Sequence, residues 1–267
     1  MPLFHLLLVA IIQGVTEFLP VSSSGHLILL PNLTGLDDQG QAIDVAVHVG
    51  TLFAVILYFW SDVRGAIASL PRALTGKIDT EGSKLAFLLL VSSIPVVAFG
   101  VLLTLTGLDD EMRSITVIGW TMLVFGIVLY WSDQAGETTR DAKDWSLRDA
   151  MVMGVWQAIA LIPGTSRSGI TITGARFMGY GRSDAARLSM LMSIPVIIES
   201  GTLLAGEAAL EANAAVLRDG AIAAAFAFIS ALLALTLMMR LLRSVSFTPY
   251  VIYRIGLGVV LLGIAYS

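Results

Sequence analysis

Six stretches of the chain are apolar over roughly 18 to 22 residues: about 42–60, 85–106, 114–131, 186–205, 219–239 and 248–266. Crossing a hydrocarbon core roughly 30 Å thick takes about 20 residues of α-helix, so each run predicts one transmembrane helix. Two further apolar regions, 1–36 and 149–181, are broken near their middles by PVSSSG at 20–25 and PGTSRSG at 163–169. Each arm is then only about 12–16 residues, too short to span alone. Two short helices meeting at a polar break predict a re-entrant hairpin, which membrane depth tolerates only where protein encloses it or a cavity is lined. The competing reading is a pair of ordinary spanning helices with a polar kink.

Loop charge separates these readings. The loops at 61–84, 132–148, 182–187 and 240–247 carry four, three, two and two Lys or Arg, whereas those at 32–41, 107–113 and 206–218 carry zero, one and one. The positive-inside rule makes the first group cytoplasmic. Walking the chain then forces 1–36 to start and end outside, and 149–181 to start and end inside. Both broken regions are therefore expected as hairpins, entered from opposite faces.

Opposed hairpins suggest an inverted-topology repeat. VSSIPVV at 91–97 echoes MSIPVII at 192–198, and GVTEFLPVSSSG at 14–25 loosely matches GVWQAIALIPGTSRSG at 154–169. The expected halves are about 1–133 and 134–267, each one hairpin plus three spans. Neither closes a cavity alone, so 1–267 reads as a single membrane domain with its site at the midplane. The expected fold class is an all-α polytopic membrane protein.

Composition agrees. Of 267 residues 56% are hydrophobic and 13% charged, with a mean hydropathy of +0.84, against roughly a quarter charged in soluble domains. The absence of cysteine excludes disulfides and thiolate metal sites. A net charge of −4 supplies no basic patch for nucleic acid. The first Lys or Arg is Arg64, so no cleavable signal peptide is expected. A homodimer is compatible with the lipid-facing apolar band, which singles out no dimer surface.

Ionisable side chains at membrane depth cost several kcal/mol, so each is a functional candidate. Glu17, His26 and Arg167 flank or occupy the hairpin breaks, and Gln13 shares a helical face with Glu17. Ser22, Ser23, Ser24 and Gly25 precede His26; Ser166 and Ser168 bracket Arg167. Gly-rich breaks ahead of helix N-termini leave N–H groups free for an anion. Arg167 adds a planar fork suited to phosphate, and Glu17 with Gln13 offers oxygen ligands for Mg²⁺ or Ca²⁺. Serine with a histidine three positions on supplies a nucleophile and base, or a hydroxyl that positions a histidine nucleophile. Against these, membrane serines such as Ser22 and Ser24 also serve close helix packing. His5 and His48 read as packing residues, and Asp44 as facing the headgroups. Glu199 and Arg254 read as structural partners holding two helices together; Arg176 is a further buried candidate.

QGVTEFLPVSSSGHL at 13–27 and PGTSRSGITIT at 163–173 resemble the two signatures of the undecaprenyl-pyrophosphate phosphatases of the bacitracin-resistance type. The resemblance covers essentially the whole chain; Gln13 stands where many members have Glu, which is expected to weaken a metal site. It implies hydrolysis of undecaprenyl pyrophosphate to the monophosphate carrier lipid of cell-wall synthesis. It also implies dependence on a divalent cation and a location in the bacterial inner membrane, with the site on the outer, periplasmic side. By position it makes Glu17 and Gln13 the cluster for metal or pyrophosphate, Ser23 the proposed nucleophile and His26 the essential histidine. Arg167 becomes the phosphate-binding arginine, with Ser166, Ser168 and Thr171 around it. The residues by themselves also suit another class, a secondary transporter or flippase of an anionic or lipid-phosphate substrate.

Overall fold

The structure is a computed structural model. It describes residues 1–28, 30, 35, 39–108, 112, 114–208 and 213–267, with the side chains of 203–208 excepted. The second arm of the first hairpin beyond Leu30 and most of the loops at 32–41, 107–113 and 206–212 therefore lie outside the described residues. Among the described residues no β-strand forms, and the α-helices are α1 Leu3–Phe18, α2 Ser23–Leu27, α3 Gln41–Tyr58, α4 Trp60–Leu74, α5 Glu81–Thr106, α6 Ile115–Ala135, α7 Leu147–Ile159, α8 Arg167–Phe177, α9 Arg182–Ala208, α10 Ala214–Leu241 and α11 Thr248–Tyr266.

Local chemistry sets these ends. Thr80 and Ser83 form a reciprocal capping box at the start of α5, which stops at Gly107 in the left-handed region. Ser146 and Asp149 cap α7 in the same way, and Asn213 caps α10. Among the described residues five helices, α3, α5, α6, α10 and α11, are long and apolar enough to cross a membrane. Their outer faces present Phe53, Leu105, Trp131, Leu233 and Ile252. With no polar shell to cover such faces, the chain is an all-α multi-pass membrane protein. The sixth expected span falls within α9, whose 27 residues include Arg182, Asp184, Arg187 and Glu199.

One helix was not foreseen. The loop at 61–84 contains α4, with Val63, Ala66 and Ala73 buried against α5. That spacing is a helical stripe, made narrow by two alanines and therefore weak in a hydropathy scan.

The helices interlock across the two halves. α10 packs on both α1 and α3, α5 on α7, α6 on α11, and α8 lies against α6, α7 and α9. Small residues allow the close approaches. A Cβ on Gly14 of α1 would stand 2.6 Å from the Ala227 carbonyl of α10, and one on Gly154 of α7 2.5 Å from the Ser92 carbonyl of α5. Charges that set loop polarity also tie down the base of the second broken region. Arg140 and the Tyr180 hydroxyl donate to Asp149, while Arg182 and the Phe247 N–H donate to buried Asp133. Arg176 is buried there too, donating to the Tyr180, Asp133 and Gly136 carbonyls.

Candidate active site

Each broken region turns at a serine. α1 ends because Leu19 precedes Pro20 and is extended, as a residue before proline prefers. Ser22 follows at φ 72°, ψ 105°, and α2 begins. In the second region Ser166 adopts φ 67°, ψ 111°, and α8 begins. Among the described residues these are the two non-glycine positions with positive φ. That conformation costs on the order of 1–3 kcal/mol and persists where surrounding structure over-determines it, commonly at a functional site.

The two turns meet. Ser168 donates to the Leu19 carbonyl at 2.9 Å and Gly164 N–H donates to Ser24 Oγ at 3.2 Å, so each turn is pinned to the other. Between them lies a cavity of about 360 Å³. Glu17, Ser22, Ser23 and Ser24 line it from the first region, Gln157, Ser166 and Arg167 from the second, and His48 from α3. Val96 of α5 and Val196 of α9 form an apolar wall.

Arg167 crosses the gap. Its Nη2 donates to Glu17 Oε1 at 2.9 Å and its Nη1 to the Ser189 carbonyl at 3.2 Å. Gln13 Nε2 donates to the other Glu17 oxygen at 2.8 Å and lies 3.1 Å from His48 Nε2. His48 Nδ1–H donates to the Asp44 carbonyl at 2.7 Å, which leaves Nε2 as the acceptor of the second Gln13 proton. His48 is thus part of this cluster, a departure from the packing role expected for it. Ser23 Oγ forms no hydrogen bond with any described residue.

Several buried polar atoms here have no partner among the described residues: Gln13 Oε1, Thr165 Oγ1 and both amide atoms of Gln157. Buried polar groups are nearly always satisfied, so such orphans mark where water, an ion or substrate completes a site. Gln157 went unnoticed in the sequence, although the signal was there. It stands three residues after Gly154, as Glu17 stands three after Gly14.

Other expected site residues build the walls. Gly25 lets α2 close on Met122, where a Cβ would meet the sulfur at 2.5 Å. Thr171 bonds the Arg167 carbonyl and Ser189 Oγ. His26 lies behind the Ser22 turn, outside the cavity lining. Its Nδ1–H donates to the Ser22 carbonyl at 2.7 Å, the Tyr253 hydroxyl donates to its Nε2 at 2.8 Å, and the two rings stack. Arg254, expected to pair with Glu199, is wholly buried and instead donates to the carbonyls of Met122, Gly164 and Thr165. It clamps the second turn. His5 is buried in α1 as a packing residue.

For a divalent cation the donors are few. Among the described residues no three His, Asp or Glu side chains cluster. One carboxylate, the orphaned Gln13 oxygen and serine hydroxyls suit a hard cation that takes its remaining ligands from substrate phosphates and water. They do not form a closed protein cage.

Comparison with known proteins places the chain among named relatives. Undecaprenyl-diphosphatases from Ruegeria pomeroyi and Jannaschia sp. are 72% and 68% identical to this chain over the whole of both sequences. One from Saccharophagus degradans is 45% identical over 97% of this chain and 96% of its own. The family described as bacitracin resistance protein BacA matches residues 6–260, and the chain belongs to that family.

Proposed function

We propose that this protein hydrolyses undecaprenyl pyrophosphate to undecaprenyl phosphate and inorganic phosphate, recycling the carrier lipid of cell-wall synthesis. The observation that carries this reading is the Arg167–Glu17 contact, which joins two strained serine turns across one polar cavity. The names of the relatives support it. Arg167 is preorganised by Glu17 and the Ser189 carbonyl, and an arriving pyrophosphate takes over part of its fork. Charge stabilisation of this kind supplies most of phosphoryl-transfer catalysis. Gln157 and the hydroxyls of Ser22, Ser24 and Ser166 complete the phosphate contacts. Ser23, whose hydroxyl bonds no described residue, faces the terminal phosphorus as nucleophile or orients the attacking water. The new bond from that oxygen to phosphorus forms as the bond to the bridging oxygen breaks, and the lipid monophosphate leaves with the electron pair. Where Ser23 is the nucleophile, water then hydrolyses the phosphoserine to inorganic phosphate and restores the hydroxyl. His26 acts through the Ser22 carbonyl, fixing the turn that presents Ser23. Glu17 and the Gln13 oxygen would hold a Mg²⁺ or Ca²⁺ ion, which supplies neutralisation of the pyrophosphate oxygens when bound.

The topology proposed for this reaction has six spans, α9 being the sixth, and hairpins α1–α2 and α7–α8 entering from opposite faces of the inner membrane. Matching dihedral angles at Ser22 and Ser166, and matching close approaches at Gly14 and Gly154, support an inverted repeat within a single domain. Loop charge orients the first hairpin, and with it the cavity, toward the periplasm.

The test is phosphate release from a prenyl pyrophosphate by purified protein in detergent, with Mg²⁺ or Ca²⁺, with chelator, and for Glu17→Ala. Metal-dependent release lost in the variant supports the phosphatase. No release from folded protein across several chain lengths would leave a carrier as the better reading, since a carrier needs binding groups and a sealed compartment but no reacting hydroxyl.

A further inference from the structure

The cavity has an apolar annex. A groove of about 390 Å³ runs between α5 and α9 and shares Val96, Leu161, Val196 and Ser200 with the polar cavity. Along α5 it continues past Gly100 and Val101 to Leu105. Nine residues of helix at about 1.5 Å each give a length of roughly 14 Å. Its walls are aliphatic apart from Thr104, Ser200 and Glu199. Two other apolar grooves, between α3 and α10 and between α1 and α10, share no residue with the polar cavity.

We propose that the α5–α9 groove holds the first isoprene units of the substrate, so that the pyrophosphate enters the Arg167 cavity while the rest of the chain passes out into lipid. This rests on the phosphatase reading and adds where and how much of the prenyl chain is recognised. Three observations carry it. The groove is continuous with the phosphate cavity through four shared residues. Its lining matches a hydrocarbon and its length takes only a few isoprene units. Gly100, half-buried in the groove wall, faces open space: a Cβ built there meets nothing within 4 Å. A glycine in mid-helix costs stability relative to alanine, so a vacancy beside it is consistent with room kept for a ligand. The Glu199 carboxylate makes no hydrogen bond or ion pair with a described residue, and it sets a polar edge to the groove.

The groove predicts a chain-length profile and a way to erase it. In detergent, wild-type kcat/KM should rise from dimethylallyl to farnesyl pyrophosphate and then change little to undecaprenyl pyrophosphate. Gly100→Leu projects a side chain into the groove from a position where the Cβ itself meets nothing within 4 Å. Its KM for farnesyl and undecaprenyl pyrophosphate should rise about tenfold, the effect of losing one or two buried aliphatic groups. Its rate on dimethylallyl pyrophosphate should be unchanged. Gly100→Ala, a smaller intrusion and a better helix former, should retain most long-chain activity, and thermal melts should show both variants folded. Equal effects on short and long substrates, or none on either, would overturn the groove while leaving the phosphatase intact. If the wild type releases no phosphate from any substrate, the phosphatase reading fails, and the groove is judged by a second measurement. A farnesyl phosphate carrying a photoreactive group on its first isoprene unit should label α5 between Val96 and Leu105, or α9 near Val196. Labelling confined to α1, α3 or α10 would overturn the proposal.

Discussion

The two serine turns share a backbone and differ in what they carry. Ser22 and Ser166 have nearly the same φ and ψ, each is followed at once by a helix, and each has a serine two positions on with its Oγ in reach, at 3.0 and 3.2 Å. At the next position the first turn places Ser23, a small hydroxyl without a partner among the described residues, and the second places Arg167, the cation that spans the gap. In the preceding arm the first has Glu17, five positions back and bonded on both oxygens, and the second has Gln157, nine positions back and bonded to a described residue on neither amide atom. Matching geometry with divided chemistry puts the Ser23 hydroxyl on one side of the cavity and the Arg167 guanidinium on the other, and under the proposed function these supply attack and charge neutralisation respectively. The turns also differ in support. Ser166 caps α8 by accepting from Gly169 N–H, whereas Ser22 caps nothing and its carbonyl is held by His26.

The sharpest way to break this division is at Arg167. Arg167→Ala should lower kcat/KM by about a thousandfold, the scale of losing a charge clamp in phosphoryl transfer. Arg167→Lys should recover little of it, because a point charge cannot serve Glu17, the Ser189 carbonyl and a phosphate together. Near-normal turnover by the lysine variant would sink the assignment. Next is Gln157→Leu. If the amide serves substrate, phosphate release should fall roughly tenfold while the melting temperature holds or rises, since each orphaned buried polar atom costs on the order of 1–3 kcal/mol. A lower melting temperature with unchanged turnover would make Gln157 a structural residue. The smallest effect separates the turns themselves. Ser22→Gly should relieve strain and be neutral or slightly stabilising, while Ser166→Gly should come out a few tenths of a kcal/mol less favourable through the lost cap on Gly169. Equal changes in denaturation midpoint would mean that the two turns are supported alike.

The gathering of Glu17, Ser22, Ser23, Ser24, Ser166 and Arg167 around one cavity was legible because polar breaks in otherwise apolar runs have few physical excuses at membrane depth. Other parts of the site were not. His48 sits in an ordinary apolar helix, and its place beside Gln13 follows from α3 packing on α10 and α1. Arg254 lies some 90 residues from the carbonyls it clamps. His26 looked equivalent to Ser23 as a candidate for attack, yet one turn of α2 carries its ring behind the loop to Tyr253. A hydropathy scan also passed over α4, because alanines bury a helix face without raising the average.

Sequence by itself determined that the chain lives in a membrane, where its long apolar helices run, and where the polar breaks fall. These depend on composition, on 3.6-residue periodicity and on capping chemistry, all local quantities. Tertiary structure alone decided which residues of one break face those of the other, which histidine stands in the cavity and which behind it, and where an apolar groove meets the polar site. Those outcomes turn on contacts between helices far apart in the chain, set by close approaches of small residues and by single buried hydrogen bonds, and no local pattern encodes them.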